Sequence, residues 1–385
     1  MQILRSVEAA AANPAPSVVT IGAFDGIHLA HRELLRLVRE RAARSSAASV
    51  AVTFDPHPAR VLAPQKAPKL LTPTPFKIEL LAASGIDRLL ILPFTRDFSL
   101  WPPEKFVQEV LVKALRATVV VVGDNFRFGY RAAGDVTMLA ELGKRWGFDT
   151  QVLPTIHIRR LPVSSSQIRS LLDAGDVSRA NRLLGRPFSI RNHVEPGLGI
   201  GRAKTVPTLN LAPYAEFLPA TGVYVTQTRV IETRDSPNDA SLRNPESGIR
   251  NGLLEASSAS SGSHSPLTTH NSPPFRSVTN VGYRPTFGEH SLGVETHLID
   301  PFGTPTSCHP EERSDEGPAL APSQLPAPHS PNVIEIFFLY RLRDERKFDS
   351  AEQLKSQILR DIRRAESYFR RLSRSTSAMR SEPGA

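Results

Sequence analysis

The stretch VVTIGAFDGIHLAHRELL, residues 18–35, constrains the fold of this chain more than any other part of the sequence. The apolar run at its start predicts a buried strand. Gly22 and Gly26 then predict a tight turn. The leucines at its end begin a pattern of apolar positions with helical spacing. Together these signals predict a strand, a turn and a helix.

His28 and His31 are three residues apart where the turn becomes the helix, so both are expected on one face of its first turn. Backbone N–H groups there have no helical partner and the helix dipole is positive, which attracts phosphate. Histidines at this spacing also occur by chance on protein surfaces. Zinc is disfavoured, because no HExxH motif is present and the single cysteine, Cys308, is distant. The preceding strand and glycines favour a phosphate site.

The length of 385 residues predicts two domains. No apolar run approaches a membrane span and no signal peptide is evident, so no membrane partner is expected. A single cysteine excludes an intrachain disulfide framework and predicts a cytoplasmic protein. The net charge of +9 suits nucleic acid or small anions. Because the basic residues are dispersed, we expect small anionic substrates and no nucleic acid, in a monomer or weak homo-oligomer.

Strands and helices are predicted to alternate through the first half. Further strands are expected at Ala51–Phe54, Leu89–Leu92, Thr118–Val122 and Thr150–Leu153. One helix is expected over Thr74–Ser84, capped by Thr74, and another within residues 94–115. The alternation predicts an α/β domain with a Rossmann-like, doubly wound parallel sheet.

Polar and aromatic residues follow two of these strands. Asp55 and His57 leave the second strand in the string FDPHP, at a strand end where open α/β sheets place their sites. A turn with solvated polar residues is an equally good interpretation of that string. Asn125, Phe126 and Phe128 follow a later strand in a glycine-bracketed loop, which indicates a ligand loop. The two phenylalanines are equally consistent with a pocket wall and with a loop anchor.

Three serines, residues 164–166, precede an amphipathic helix. They are expected to include its N-cap, and Ser164 and Ser165 could also bind phosphate through hydroxyl and N–H groups, with charge from Arg169. Both interpretations can hold together. The next helix, Val177–Leu184, is predicted to end the first domain, with the boundary near Arg186.

The apolar period then changes to that of short strands. Strands are predicted within Gly222–Val230 and at Ser277–Val281, Gly293–Ile299 and Val333–Leu342, and a helix at Ser350–Leu372. This pattern predicts a small antiparallel barrel with a C-terminal helix. The Ser- and Pro-rich stretches 232–276 and 303–331 are predicted to be disordered insertions, and 375–385 a disordered tail.

The string GAFDGIHLAH resembles the GxFDGxHxGH signature of nucleotidyltransferases, in the form found in prokaryotic bifunctional riboflavin kinase/FAD synthetases. FDPHP, GDNFRFG and SSSQIR resemble further motifs of that family, although Ala30 stands where the family has glycine. The resemblance implies that residues 1–186 form an FMN adenylyltransferase domain in which His28 and His31 are catalytic. It implies ATP- or phosphate-binding roles for Gly22, Asp25, Asn125, Ser164, Ser165 and Arg169, and flavin-binding roles for Asp55, His57, Phe126 and Phe128.

The second half resembles the family's riboflavin kinase domain through PTLN, GVY, NVGYRPTFG, VETHLID and FFLYRLRDERKF. The resemblance implies that residues 187–374 form a six-stranded antiparallel barrel with a C-terminal helix. It also implies that Thr208 and Asn210 hold Mg²⁺ and ATP and that Glu295 is the catalytic base. Thr205 departs from the family pattern, which has glycine there.

The resemblance implies that the chain phosphorylates riboflavin to FMN with ATP and Mg²⁺, then adenylylates FMN to FAD with a second ATP. One alternative is a riboflavin kinase whose front domain is degenerate, because the methyl group of Ala30 could crowd a nucleotide. A non-catalytic flavin-binding regulator is a second alternative. A nucleotidyltransferase for another acceptor would leave the second half of the chain unexplained.

Overall fold

The structure is a computed structural model. It describes residues 1–195, 208–231, 274–283, 292–299 and 333–380, with side chains described as far as residue 374. Thr205 and Cys308 lie outside these residues, as do the predicted insertion 303–331 and most of the predicted insertion 232–276.

A parallel sheet with helices forms the first half, which confirms the predicted fold class. Its strands in chain order are β1 (Gln2–Leu4), β2 (Ser17–Ile21), β3 (Ala48–Asp55), β4 (Arg88–Pro93), β5 (Ala117–Gly123) and β6 (Asp149–Leu153). They lie side by side in the order β1-β4-β3-β2-β5-β6, and every neighbouring pair is parallel. The central strand β2 is buried along its whole length, as its apolar run predicts.

Helices connect these strands and follow the last of them. They are α1 (Val7–Ala11), α2 (Leu29–Arg44), α3 (Pro58–Leu62), α4 (Thr74–Ala83), α5 (Arg96–Ser99), α6 (Pro103–Phe106), α7 (Val136–Trp146), α8 (Ser165–Asp173) and α9 (Val177–Leu184). A π-helical segment, Val107–Ala114, continues α6, and a two-stranded ladder, β7 (His157–Ile158) with β8 (Leu161–Pro162), precedes α8.

The helix expected within residues 94–115 is present as α6 and its π-helical continuation. The short helix α5 is separate from it, because Pro102 and Pro103 disfavour a continuous helix before them. One sequence-based detail was wrong in this half. Thr74 is the first residue of α4 and does not cap it; Pro73 occupies the cap position. The Thr74 hydroxyl instead donates a hydrogen bond to Asp55 Oδ1 over 3.1 Å.

Six strands of the described second half close into a barrel, as predicted. They are β9 (Phe188–Glu195), β10 (Leu209–Leu211), β11 (Gly222–Ile231), β12 (Phe275–Tyr283), β13 (Leu292–Leu298) and β14 (Val333–Arg343). Their cyclic order is β10-β13-β12-β11-β14-β9, with antiparallel pairing throughout. Strand β12 begins inside the predicted insertion 232–276, because Phe275 and Arg276 pair with Thr228 and Gln227.

The C-terminal helix α10 (Ala351–Arg380) covers one side of the barrel. Ala365 and Phe369 are buried in a cluster with residues of β11 and β12. Arg343 Nε donates to the buried carboxylate of Asp361 over 3.0 Å, which fixes the helix against β14. The tail predicted to be disordered over residues 375–385 is helical as far as Arg380, and residues 381–385 lie outside the described part.

One apolar cluster joins α8 and α9 to the barrel. Ile168 and Leu184 of these helices share it with Ile190 and Phe338 of the barrel. The boundary predicted near Arg186 falls between α9 and β9. Among the described residues, no helix is both long enough and apolar enough to cross a membrane.

Candidate active sites

The sheet topology brings three of the predicted polar segments to one edge. Strand β2 lies between β3 and β5, and all three are parallel, so their carboxyl ends are neighbours. The chain order reverses between β2 and β5, and ligands of open α/β sheets bind at such a switch point. The turn over residues 22–31 therefore lies between the FDPHP string and the Asn125 loop. We call the ligand site expected at this turn the front site.

His28 and His31 are held together at the start of α2. His28 is the N-cap, and its Nδ1 accepts a hydrogen bond from His31 N over 3.4 Å. The two rings stack with centroids 3.7 Å apart, and Phe24 packs edge-on to His31 at 5.1 Å. Burial lowers the pKa of His28 to about 4, and burial with the nearby charges of His28 and Lys77 holds the pKa of His31 well below its usual range. Both imidazoles are therefore neutral near pH 7, so they offer N–H donors and no charge.

Asp25 anchors the turn from inside the protein. Its side chain is 3% exposed and accepts hydrogen bonds from Leu71 N at 3.1 Å and Thr72 N at 3.0 Å. It also forms an ion pair with Arg169, whose Nε donates to Lys69 O over 3.1 Å. The phosphate-binding roles predicted for Asp25 and Arg169 stay predictions, and their charges are paired with each other in this structure.

The serine cluster lies against the same turn. Ser164 is the N-cap of α8, and its Oγ accepts from Gln167 N over 3.2 Å. Ser165 Oγ donates to the carbonyl oxygen of Asp25 over 2.8 Å. The capping interpretation is therefore confirmed for Ser164, and the helix start lies beside the turn that carries the histidines.

Asp55 and His57 form the other wall of this site. Asp55 ends β3, and His57 caps α3 by accepting a hydrogen bond at Nδ1 from Ala59 N over 3.2 Å. Burial lowers the pKa of His57, and the charges that act on it include those of Asp25, Lys77 and Arg169. His57 is therefore close to the turn residues, and the flavin-binding roles predicted for Asp55 and His57 stay predictions.

Lys77 was missed by the sequence analysis. Its side chain is buried, with the residue 1% exposed, and Nζ donates to the carbonyl oxygen of Ala23 over 3.0 Å. Burial lowers its pKa, and the carboxylates of Asp25 and Asp55 oppose that shift. The available signal was a lysine four residues before the buried Leu81, on the apolar face of α4.

The Asn125 loop follows β5 at the other side of the turn. Asn125 is exposed, and Asp124 holds the loop by accepting from Thr155 N over 2.8 Å. Phe128 is buried in the core beneath the sheet, which suits a loop anchor. Phe126 stacks on it at 5.4 Å and is half-buried. The roles predicted for Asn125 and Phe126 stay predictions.

The residues predicted for the kinase site form a row across the barrel. Asn210 of β10 is directly opposite Glu295 of β13, and Glu295 is directly opposite Asn280 of β12. Directly paired residues of antiparallel strands carry their side chains on the same face. Glu195 of β9 extends the row beyond Asn210. Glu195 and Asn280 were not among the predicted site residues, because their pairing depends on the barrel register.

The donor set of this row fits Mg²⁺. Thr208 directly precedes β10, two residues before Asn210, and is exposed, so its hydroxyl is accessible. Hydroxyl, amide and carboxylate oxygens are the ligands that Mg²⁺ prefers, and it is usually held by few side chains together with substrate phosphates. Within the described ranges, no group of three or more His, Cys, Asp or Glu side chains could hold a metal ion by itself. An ion shared with ATP is the arrangement that these residues fit.

Comparison with known proteins covers both halves of the chain. A family model described as FAD synthetase matches residues 10–167, and one described as riboflavin kinase matches residues 184–369. The chain belongs to the bifunctional riboflavin kinase/FMN adenylyltransferase family. This confirms the resemblance drawn from the sequence motifs.

Relatives of this family match along nearly the whole chain. The bifunctional riboflavin kinase/FMN adenylyltransferase of Escherichia coli (strain K12) is 29% identical over 370 residues, covering 96% of this chain and 98% of the relative. The corresponding protein of Pseudomonas fluorescens is 29% identical over 363 residues, covering 94% of this chain and 96% of the relative. A solved structure described as a macrolide-efflux protein from Streptococcus pneumoniae superposes with a TM-score of 0.65 at 24% identity, covering 91% of this chain and 93% of that one. That likeness shows the fold alone.

Proposed function

We propose that the chain phosphorylates riboflavin to FMN with ATP and adenylylates FMN to FAD with a second ATP, releasing pyrophosphate. The observation that carries the proposal is the presence of both family models, one after the other, in a chain that matches bifunctional relatives over 96% of its length. A nucleotidyltransferase for another acceptor would not account for the riboflavin kinase domain in the second half of the chain. A non-catalytic regulator would not account for the neutral histidine pair.

The adenylyl step would take place at the turn after β2. The attacking group is the phosphate of FMN, which is already an anion, so no strong base is required. Since Nδ1 of neutral His28 accepts a hydrogen bond from His31 N, its proton is on Nε2. That N–H group and the free N–H groups at the start of α2 would donate to oxygens of the ATP phosphates as negative charge moves to the leaving pyrophosphate.

The kinase step would take place at the row on the barrel. The attacking group is a neutral ribityl hydroxyl, so a base is useful, and Glu295 is the carboxylate in the predicted position. Thr208 and Asn210 would hold Mg²⁺ with ATP, and the ion would neutralise charge on the transferred phosphoryl group. Asn280, beside Glu295, would hold the carboxylate in place.

Small-molecule substrates fit this proposal, and so do the predictions that the chain has no nucleic-acid partner and no membrane partner. The single cysteine supports a cytoplasmic location. The dispersed basic residues support the absence of a nucleic-acid partner. A monomer or weak homo-oligomer remains part of the proposal.

A riboflavin kinase without the second activity is the alternative that depends on Ala30. In the structure Ala30 is half-buried and packs against the apolar cluster that joins α8 and α9 to the barrel. Its methyl group therefore has apolar neighbours within the protein. This favours the bifunctional proposal over the alternative.

Chromatography of products formed from riboflavin, ATP and Mg²⁺ tests the proposal. We expect FMN to accumulate first and FAD to follow. FMN without FAD, even when FMN is supplied directly, would establish the kinase-only alternative. Absence of both products from folded protein would overturn the proposal.

A further inference from the structure

Two carboxylates from different halves of the chain bind consecutive N–H groups of one segment. Asp25, in the turn of the front site, accepts from Leu71 N and Thr72 N. Glu216, in the loop before β11 of the barrel half, accepts from Leu70 N over 2.8 Å. The barrel loop makes a second contact with the same segment, because Phe217 N donates to Leu70 O over 3.1 Å. The position of the backbone that holds Asp25 is thus set from the barrel side.

Glu216 also reaches the opposite wall of the front site. Both of its carboxylate oxygens are 2.6 Å from Arg60 Nη2. Arg60 belongs to α3, the helix that His57 caps, and Arg60 N donates to His57 O over 2.8 Å. One carboxylate therefore connects the wall that carries His57 with the wall that holds Asp25.

The contact between Glu216 and Leu70 N is largely sheltered from water. The Glu216 side chain is 16% exposed and Leu70 is buried, whereas the Arg60 side chain is 40% exposed. A buried N–H group that loses its acceptor is costly, so removal of Glu216 favours a shift of the segment. Such a shift would move the two N–H groups that hold Asp25, and with them the turn that presents His28.

We propose that Glu216, supplied by the barrel half, is a positioning residue for adenylyl transfer. This inference rests on the proposed function. Glu216 touches neither the histidines nor the predicted phosphate-binding serines. It acts by fixing Leu70 and Arg60, and through them the two walls of the front site. The kinase row on β10, β12 and β13 does not depend on these contacts.

A second ion pair between the two halves provides a matched control. Arg191 of β9 and Glu79 of α4 are 2.6 Å apart, and the Glu79 side chain is 48% exposed. Arg191 keeps a second partner, Glu335, at 3.2 Å. Like Glu216→Ala, the substitution Glu79→Ala removes the glutamate of an ion pair between the two halves. It leaves the hydrogen bonds of the segment at Leu70 unchanged.

The experiment measures both activities of the full chain, with FMN supplied directly for the adenylyl step. For Glu216→Ala we expect kcat of adenylyl transfer to fall about tenfold, with the KM for FMN changed less than threefold, because misplaced groups chiefly affect orientation in the transition state. Riboflavin kinase activity should change less than twofold. Glu79→Ala should leave both activities within twofold of the original chain.

Equal losses of both activities in folded Glu216→Ala would indicate a merely structural role and overturn the inference, as would no loss of adenylyl transfer. If Glu216→Ala does not fold, Glu216→Gln and Arg60→Met decide. Both remove the charge pair, and both should lower adenylyl transfer at least threefold while sparing the kinase; unchanged adenylyl transfer in either would overturn the inference. If the original chain forms no FAD from FMN, the proposed function itself fails, and the inference fails with it.

Discussion

The imidazole rings of His28 and His31 stack at 3.7 Å between centroids with an interplanar angle of 14°. Two imidazolium ions could not share this arrangement without strong repulsion in a buried place. The stack therefore excludes a doubly charged pair, and burial, which lowers the pKa of both histidines, keeps both rings neutral near pH 7. This relationship links the chemistry expected of the front site to the stability of the fold.

The stability of the protein should fall in mildly acidic solution. Unfolded histidine titrates near pH 6.5, whereas burial lowers the pKa of His28 to about 4 in the folded state. Between these pH values the unfolded state binds more protons, so the free energy of unfolding is highest above pH 6.5 and decreases as the pH falls toward 4. The decrease should reach about 1.4 kcal/mol per pH unit for each histidine concerned.

Urea denaturation at several pH values between 7 and 4 measures this effect. In His28→Gln the pH dependence should be clearly weaker than in the original chain. The exposed His157 offers the matched control, and His157→Gln should retain the full dependence. Identical pH profiles for both variants would contradict the prediction.

Loss of a donor from the histidine pair should affect one activity only. His28→Ala removes the Nε2 donor and the cap of α2, and we expect FAD formation from FMN to fall about 100-fold or more. Riboflavin kinase activity should stay within twofold. A parallel loss of both activities would show that His28 serves the fold and not the front site.

The complementary prediction concerns the barrel. Glu295→Gln retains the shape and half-buried position of the side chain but removes the base, so FMN formation should fall about 100-fold. Adenylyl transfer with supplied FMN should be unchanged. Glu352→Gln, on the exposed surface of α10, is the control and should retain both activities. Normal kinase activity in Glu295→Gln would exclude its role as the base.

Lys77→Met tests the residue that the sequence analysis missed. The change removes a buried ammonium, which relieves a desolvation cost, but leaves Ala23 O with only the longer hydrogen bond from Thr53 Oγ1 at 3.3 Å. We expect these effects to offset each other to within about 2 kcal/mol in the free energy of unfolding. Adenylyl transfer should fall about tenfold because the turn loses a fixed contact. Lys66→Met, at an exposed lysine nearby, should change neither quantity.

Ala30→Gly separates the bifunctional proposal from its alternative. Because the methyl group packs against apolar neighbours, its removal should raise FAD formation less than twofold. The substitution should lower the free energy of unfolding by about 0.5–1 kcal/mol, as for glycine in other helices. A large gain in FAD formation would show that the methyl group obstructs the nucleotide.

Most of the fold could be predicted, because strands buried in a parallel sheet and helices with an apolar face leave strong local patterns. The errors arose where distant contacts override such patterns. Strand β9 was not predicted, because its apolar–polar alternation breaks at Asn192. The polar Ser189 and Arg191 share a distant partner, Glu335 on β14: Ser189 Oγ donates to it over 2.9 Å, and Arg191 pairs with it at 3.2 Å.

The front site could be predicted only as a set of candidate residues. The motif around His28 named the turn and the helix that follows it. The motif did not reveal Lys77, which meets Ala23 O from 54 positions away, or Glu216, which meets Leu70 N from 146 positions away. Contacts at such separations depend on how sheet, helices and barrel pack against one another.

Local patterning in the amino-acid sequence was sufficient for the two-part architecture and the family, because apolar period, turn residues and motif spacing act over a few neighbouring positions. The tertiary structure alone decided which charges are paired and which histidines are neutral. It also brought a glutamate of the barrel half, Glu216, to the walls of the front site. Ion pairing and desolvation depend on distances through space, and those distances exist only after the chain has folded.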